Sequence, residues 1–118
     1  YPFTELRENT ENRICVPLKA GAKSEEFRAA VSDHWLPALK AFKPELVFVS
    51  AGFDAHRDDD MSHVFLTDAD FRWVSERIAE IAEESSSGRV ISVLEGGYEL
   101  KSLARCVESH VRVLMGIH

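Results

Sequence analysis

The sequence predicts an α/β fold built on a parallel sheet, and three observations support this. Helical and strand patterns alternate along the chain in the order helix, strand, helix, strand, helix. Both strand patterns are short, continuous apolar runs, which are typical of strands buried on both faces of a parallel sheet. Each strand pattern leads into a glycine-containing loop and then a helix. With 118 residues, the chain provides at most one domain.

The first helix is expected to begin at Ser24, after an irregular stretch over residues 1–23 that is rich in chain breakers. Ser24 is a good helix-capping residue, and two glutamates follow it in the first turn. Apolar residues then recur at helical spacing to about Phe42. Pro37 lies inside this pattern and should kink or split the helix, and Pro44 should end it.

The remaining elements follow in order. Residues 46–51 predict a first strand, and Thr67 predicts the cap of a second helix with Asp68 and Asp70 in its first turn. Residues 85–88 predict a loop, and residues 90–94 a second strand. The apolar face of the second helix is expected to contain Phe71, Val74, Ile78 and Ile81, and that of the third Leu100, Leu103, Ala104, Val107, Val111 and Leu114.

Composition narrows the classes of partner and compartment. The net charge of −6 argues against a nucleic acid or an anionic membrane as partner, because both favour basic surfaces. No apolar run is long enough to cross a membrane. Two cysteines, Cys15 and Cys106, are too few for a disulfide framework, so we expect buried thiols and a reducing, cytoplasmic location. The start at Tyr1, without a methionine, suggests a cut through a longer protein.

Topology predicts where a site would lie. In open parallel sheets, ligands bind beyond the carboxyl ends of the strands. The loops over residues 50–60 and 95–98 both leave the carboxyl ends of their strands, so we expect them to meet at one edge. Three helices are too few to cover two strands on both faces. Further strands are therefore expected from additional chain or from a partner, which includes a homo-oligomer formed through an exposed sheet edge.

The first loop, "SAGFDAHRDDD", holds the candidate ligands. Asp54, just past a strand, could present a hard oxygen ligand to a metal, although spacing alone favours the reading that it caps a turn. His56 is more often a supporting or solvated group than a ligand. The run over residues 58–60 lacks the spacing of a calcium loop and is expected to be a solvated turn, or to include a carboxylate that holds the loop through backbone hydrogen bonds.

The second loop, "EGGY", allows two interpretations. Gly96 and Gly97 permit a sharp turn and close backbone approach to a ligand, and Tyr98 could donate a hydrogen bond to an oxyanion at the rim of a cleft. Alternatively, Tyr98 is a half-buried aromatic residue with a hydrated hydroxyl. Two glycines before a helix are also compatible with phosphate binding, although the dinucleotide-binding fingerprint is absent.

Several segments together resemble a known family. "YPFTE", "ICVPLKAGAKSEEFRAAV", "PELVFVSAGFDAH", "LTDADF" and "VISVLEGGYEL", in this order and spacing, resemble the C-terminal part of the histone deacetylase superfamily. The similarity is greatest to its class II-like branch and to bacterial deacetylases or acetylpolyamine amidohydrolases. It implies that residues 1–118 are the C-terminal portion of one domain with the three-layer, arginase-like α/β fold.

The resemblance also implies an activity and a cofactor. Members hydrolyse the N-acetyl amide of acetylated lysine or acetylpolyamine with one Zn²⁺ ion. By motif, Asp54 matches a zinc ligand and Tyr98 the tyrosine that polarises the acetyl carbonyl. Gly96 and Gly97 match the pocket wall, and Met61 an apolar position that lines the pocket.

The chain also departs from the family pattern. Asp60 stands where proline is common in the family. The resemblance also implies that the other zinc ligands and the paired histidines belong to a part of the domain upstream of Tyr1. One ligand does not hold a catalytic zinc ion. The chain alone is therefore expected to be inactive. The alternative is a non-catalytic, deacetylase-like module that acts in oligomerisation or protein interaction.

Overall fold

The structure is a computed structural model that describes residues 9–117, so the "YPFTE" part of the resemblance lies outside the described residues. The predicted α/β class is confirmed. The elements in chain order are α1 (Ser24–Ala30), a π-helical turn (Val31–Trp35), α2 (Leu36–Phe42), β1 (Val47–Ala51), α3 (Asp68–Ser86), β2 (Val90–Leu94) and α4 (Leu100–Leu114).

The first helix is split, as Pro37 predicted. Proline has no backbone N–H to donate to the carbonyl four residues before it. The helix widens here instead: the N–H of Leu36 donates to the carbonyl of Val31, five residues back, in a π turn. Helix α1 begins at Ser24 as expected, and Lys23 is the residue at its capping position. The Ser24 hydroxyl instead donates to Asp70 at 2.6 Å and ties α1 to α3.

The two strands are parallel neighbours joined by α3, with Val47 beside Val90 and Ala51 beside Leu94. One face of the sheet is covered by α3 and α4. The core there contains the β1 residue Ala51 and the α4 residue Cys106, together with Phe53, Leu66 and Phe71. This arrangement places the carboxyl ends of both strands at one edge.

The opposite face of the sheet is uncovered in the described part of the chain. Phe48 is 64% exposed, and its neighbour Ile91 and nearby Val93 are each 46% exposed. The prediction that both strands are buried on both faces is therefore wrong for residues 9–117. The physical reason is that the crossover helix α3 and the following helix α4 pack on the same face, and residues 9–117 provide no layer for the other face.

Helix α3 begins as predicted. The Thr67 N–H and hydroxyl both donate to the Asp70 carboxylate, at 2.9 and 2.8 Å. Its end differs from the prediction, because α3 continues to Ser86 and the chain turns at Ser87 in the left-handed region. The loop expected over residues 85–88 is thus shorter.

Helix α4 buries only part of the predicted face, because Leu103 and Val107 pack against the core as expected but other members do not. Ser102, Cys106, His110 and Val113 are buried, whereas Leu100 is 75% exposed and Val111 45% exposed. The buried polar groups have partners, which makes their burial tolerable. The Ser102 hydroxyl donates to the Glu99 carbonyl, and both ring nitrogens of His110 are hydrogen-bonded to serines.

Only one of the two cysteines is buried, whereas both were expected to be. Cys106 is buried as expected, but Cys15 is exposed because it lies in the irregular segment before α1. Neither is in a disulfide. No helix among residues 9–117 is both long and apolar enough to cross a membrane.

Candidate functional site

The two loops meet at the carboxyl edge of the sheet, as the topology predicted. The Glu95 N–H donates to the Ala51 carbonyl at 3.0 Å, and the Phe53 N–H donates to the Gly96 carbonyl at 2.8 Å. These bonds continue the pairing of β1 and β2 beyond the strand ends. The candidate residues of both loops therefore share one rigid platform.

Asp54 lies against Gly96. A Cβ atom on Gly96 would be 2.7 Å from the Asp54 Cγ and would overlap its carboxylate, and one on Gly52 would be 3.1 Å from Oδ1. The Asp54 side chain is half-buried, and no hydrogen bond or ion pair holds its carboxylate within residues 9–117. It therefore does not cap a turn, which was the alternative reading. It is a half-buried carboxylate that packs against the Gly96 backbone.

Tyr98 is displayed at the start of α4. The preceding Gly97 has a φ of +137°, and a Cβ there would lie 2.6 Å from a methyl carbon of Leu103, so only glycine suits this position. The turn leaves the Tyr98 side chain 59% exposed. Tyr98 is thus displayed at the edge of the sheet, and its role as a hydrogen-bond donor to a substrate stays a prediction.

Asp59 connects the two loops, and the sequence did not single it out from the three consecutive aspartates. Its Oδ2 accepts from the backbone N–H of Tyr98 at 2.7 Å and of Glu99 at 3.1 Å, and Oδ1 accepts from the N–H of Met61 at 2.9 Å. Burial raises the pKa of this carboxyl, but the three backbone N–H donors outweigh burial and lower the pKa overall. The expected carboxylate that holds the loop is Asp59.

His56 supports the loop from inside. It is buried, and its Nδ1 accepts from the Asp58 N–H at 3.1 Å, so Nε2 carries the proton and donates to Asp68 Oδ1 at 2.8 Å. The Arg105 guanidinium also binds Asp68 and is the main reason that its pKa is lowered. The supporting role expected for His56 is confirmed.

His56, Asp68 and Cys106 are a group whose ligand atoms lie close enough together to hold a metal ion, within 4.8 Å. The group is already satisfied without one, because both nitrogens of His56 are engaged and Arg105 balances the charge of Asp68. Burial, followed by the neighbouring Asp68, raises the pKa of the Cys106 thiol to about 12, so it donates to Asp68 as a thiol. We assign this group to structural support, and it does not include Asp54.

The phosphate alternative does not fit the start of α4. A phosphate would need free backbone N–H groups there. The N–H groups of Lys101 and Ser102 donate to the Glu99 side chain, at 3.2 and 2.6 Å. Those of Tyr98 and Glu99 donate to Asp59. Two carboxylates thus occupy the groups that an anion would use.

Met61 is placed by the same network, since its N–H donates to Asp59. Its side chain is 62% exposed. Its position beside the tyrosine loop is compatible with a pocket wall, and that role stays a prediction.

Comparison with known proteins shows the family to which this sequence is similar. The model of the protein family described as "Histone deacetylase domain" matches residues 1–114. The chain is 39% identical over 107 residues to type-2 histone deacetylase 2 of Dictyostelium discoideum, covering 88% of this chain and 6% of that protein. It is 32% identical over 102 residues to the histone deacetylase-like amidohydrolase of Pseudomonas aeruginosa, covering 86% and 27%.

The solved structures agree with the sequence comparisons. The crystal structure of the acetylpolyamine aminohydrolase from Burkholderia pseudomallei superimposes with a TM-score of 0.73 at 29% identity, covering 86% of this chain and 28% of that one. The chain spans between 6% and 28% of the length of these three relatives.

Proposed function

The chain belongs to the histone deacetylase domain family, and on this premise we propose that it carries part of a zinc-dependent site that hydrolyses N-acetyl amides. Asp54 is the proposed zinc ligand, and Tyr98 is the residue proposed to polarise the acetyl carbonyl. The observation that supports this most directly is the packing of the Asp54 carboxylate, which has no hydrogen-bond partner among residues 9–117, against the backbone of Gly96. Gly96 lies two residues before Tyr98.

The chemistry of Asp54 suits zinc. A carboxylate oxygen is an ordinary zinc ligand, and this one is fixed by packing rather than by competing donors. Zinc, when bound, would act as a Lewis acid and lower the pKa of its water. Catalytic zinc sites take about three protein ligands. The proposal therefore requires further ligands from outside residues 9–117.

Tyr98 would act on the opposite side of the acetyl group. Its exposed hydroxyl can donate a hydrogen bond to the carbonyl oxygen, where negative charge develops as the amide is attacked. The nearby His56 is not proposed as the general base, because both of its nitrogens are already engaged. Proton transfer is assigned to residues outside the described part of the chain.

The proposed substrates are acetylated lysine and acetylpolyamine. The family and the name of the Burkholderia relative support amide hydrolysis of this class. Gly96, Gly97 and Met61 are proposed to line the pocket that holds the acetyl-bearing chain. A cytoplasmic location stays a prediction.

The test uses Asp54→Asn and Tyr98→Phe in the complete gene product that carries this chain, with the exposed Asp60→Asn as control. Asp54→Asn should lose both zinc and turnover. Tyr98→Phe should retain zinc, because it removes no ligand, and lose about 10²- to 10³-fold in kcat, the usual effect of removing one oxyanion donor. Wild-type zinc content and turnover in both variants would overturn the assignment.

A second candidate function is a non-catalytic module that pairs with another chain. The uncovered sheet face at Phe48, Ile91 and Val93 favours it, since exposed apolar patches mark interaction sites. Light scattering of the isolated chain discriminates the two. The module requires self-association that Phe48→Ser weakens, and a well-folded monomer would argue against it.

A further inference from the structure

We propose that Asp59 is a positioning residue for the deacetylase reaction, which sets the tyrosine loop and the Met61 wall relative to Asp54. This inference rests on the proposed function, because it concerns the residues assigned there. Asp59 is the group that joins the two halves of that site.

The geometry places Asp59 between the two loops. It is 7% exposed, and its two carboxylate oxygens accept three backbone N–H donors. Two donors, Tyr98 and Glu99, belong to the loop after β2, while Met61 belongs to the same loop as Asp59. Rotating this carboxylate would therefore move the pocket-wall residue and the proposed oxyanion donor together.

Only an ionised carboxylate satisfies all three donors. A neutral amide has one acceptor oxygen, so an asparagine would present an NH₂ group to at least one N–H. The donors at Tyr98 and Glu99 also lie at the start of α4, where the helix dipole favours a negative charge. Asp59 has the lowered pKa expected of a carboxylate that accepts several backbone bonds.

The loop that carries Asp59 is itself anchored. The Arg57 N–H donates to the Leu66 carbonyl at 2.8 Å, and the Leu66 N–H donates to the Ala55 carbonyl at 3.0 Å. The Asp59 N–H donates to the carbonyl of His56, which Asp68 holds in turn. Asp59 is therefore fixed from the β1 side, and the tyrosine loop is the part that it orients.

The experiment compares Asp59→Asn with Asp60→Asn, its exposed neighbour, in the complete gene product. We expect Asp59→Asn to lose about 10- to 100-fold in kcat, the effect of losing charge-assisted hydrogen bonds, with little change in zinc content. Asp60→Asn should be close to wild type. Thermal unfolding of each variant establishes that the comparison is made on folded protein.

A double-mutant cycle separates positioning from general support. If Asp59 acts through Tyr98, adding Asp59→Asn to Tyr98→Phe should lose little further activity, because the tyrosine hydroxyl is already gone. A merely structural role predicts that the two losses multiply. Hydrogen exchange is a readout independent of activity: Asp59→Asn should speed exchange at the Tyr98, Glu99 or Met61 amides.

These experiments distinguish failure of the positioning role of Asp59 from failure of the proposed deacetylase function. An inactive wild type, or an active Tyr98→Phe, overturns the proposed function. A wild type that depends on Tyr98, with Asp59→Asn unchanged in kcat, or with losses that multiply, overturns the positioning role. If Asp59→Asn fails to fold, Asp59→Glu replaces it, and unchanged kcat and amide exchange in that variant contradict the inference.

Discussion

The carboxylate of Asp54 occupies the space that a side chain on Gly96 would need. The two residues come from loops that follow different strands. The Asp54 carboxylate fits where it does because Gly96 has no Cβ. The position of the Asp54 side chain therefore requires a glycine at position 96.

Gly96→Ala should displace Asp54, because the new Cβ overlaps the carboxylate, which must move. We expect zinc affinity and kcat of the complete gene product to fall by about 10- to 100-fold, the scale expected from misplacing a catalytic group. Gly52→Ala is the graded control, since its Cβ would lie 3.1 Å from Oδ1 and a small shift relieves it. Equal effects of the two substitutions would contradict this account.

The two cysteines should differ sharply in reactivity. Cys106 is fully buried and the pKa of its thiol is raised to about 12, so it remains protonated near neutral pH, whereas Cys15 is exposed. Titration with a thiol reagent near pH 8 should detect one fast thiol, and the second only after denaturation. Cys15→Ser should abolish the fast phase. Rapid modification of Cys106 in that folded variant would refute the buried assignment.

Acid should destabilise the fold through His110. The Ser75 hydroxyl donates to the Phe71 carbonyl, so His110 Nδ1–H donates to Ser75. Burial favours the neutral ring, in which Nε2 accepts from the Ser92 hydroxyl. Burial lowers the pKa of His110 below its ordinary value of 6.5, so the unfolded chain binds the proton more tightly.

The free energy of unfolding should therefore decrease as the pH falls below about 6.5 toward the folded-state pKa. Denaturant unfolding of the chain at several pH values between 7 and 5 measures this decrease. His110→Gln should flatten it, while the exposed His34→Gln should leave the slope unchanged. A slope that survives in His110→Gln would assign the pH dependence to another group.

Asp70→Ala should destabilise the chain by about 2–4 kcal/mol, since it removes a helix cap and leaves buried donors unpaired. The carboxylate is fully buried and accepts from the Ser24 hydroxyl, the Thr67 N–H and hydroxyl, and the Arg28 guanidinium. Urea unfolding measures the change, with the exposed Asp60→Ala as control. A difference below about 0.5 kcal/mol between the two variants would show that Asp70 does not join α1 to α3 energetically.

The meeting of the two loops could be predicted because it follows from topology. Parallel neighbours direct both carboxyl ends to one edge, and the structure places both loops there. The role of Asp59 could not be predicted, since three consecutive aspartates look alike in sequence. The donors that distinguish Asp59 include the N–H groups of Tyr98 and Glu99, 39 and 40 positions away.

The buried face of α4 was predicted only in part, for a related reason. Its apolar periodicity is real, but His110 is buried because Ser75 and Ser92, 35 and 18 positions away, satisfy its nitrogens. The sheet faces were mispredicted because burial depends on a covering layer, which residues 9–117 do not provide.

The bond between Asp59 and Tyr98 has a consequence for the order of folding. It closes a segment of 39 positions, which includes all of α3, and such closures carry an entropic penalty that local contacts do not. We therefore expect both loops to acquire their final shape only after the crossover helix has docked and β2 has joined β1. Formation of the site would then report that the whole strand–helix–strand unit is complete.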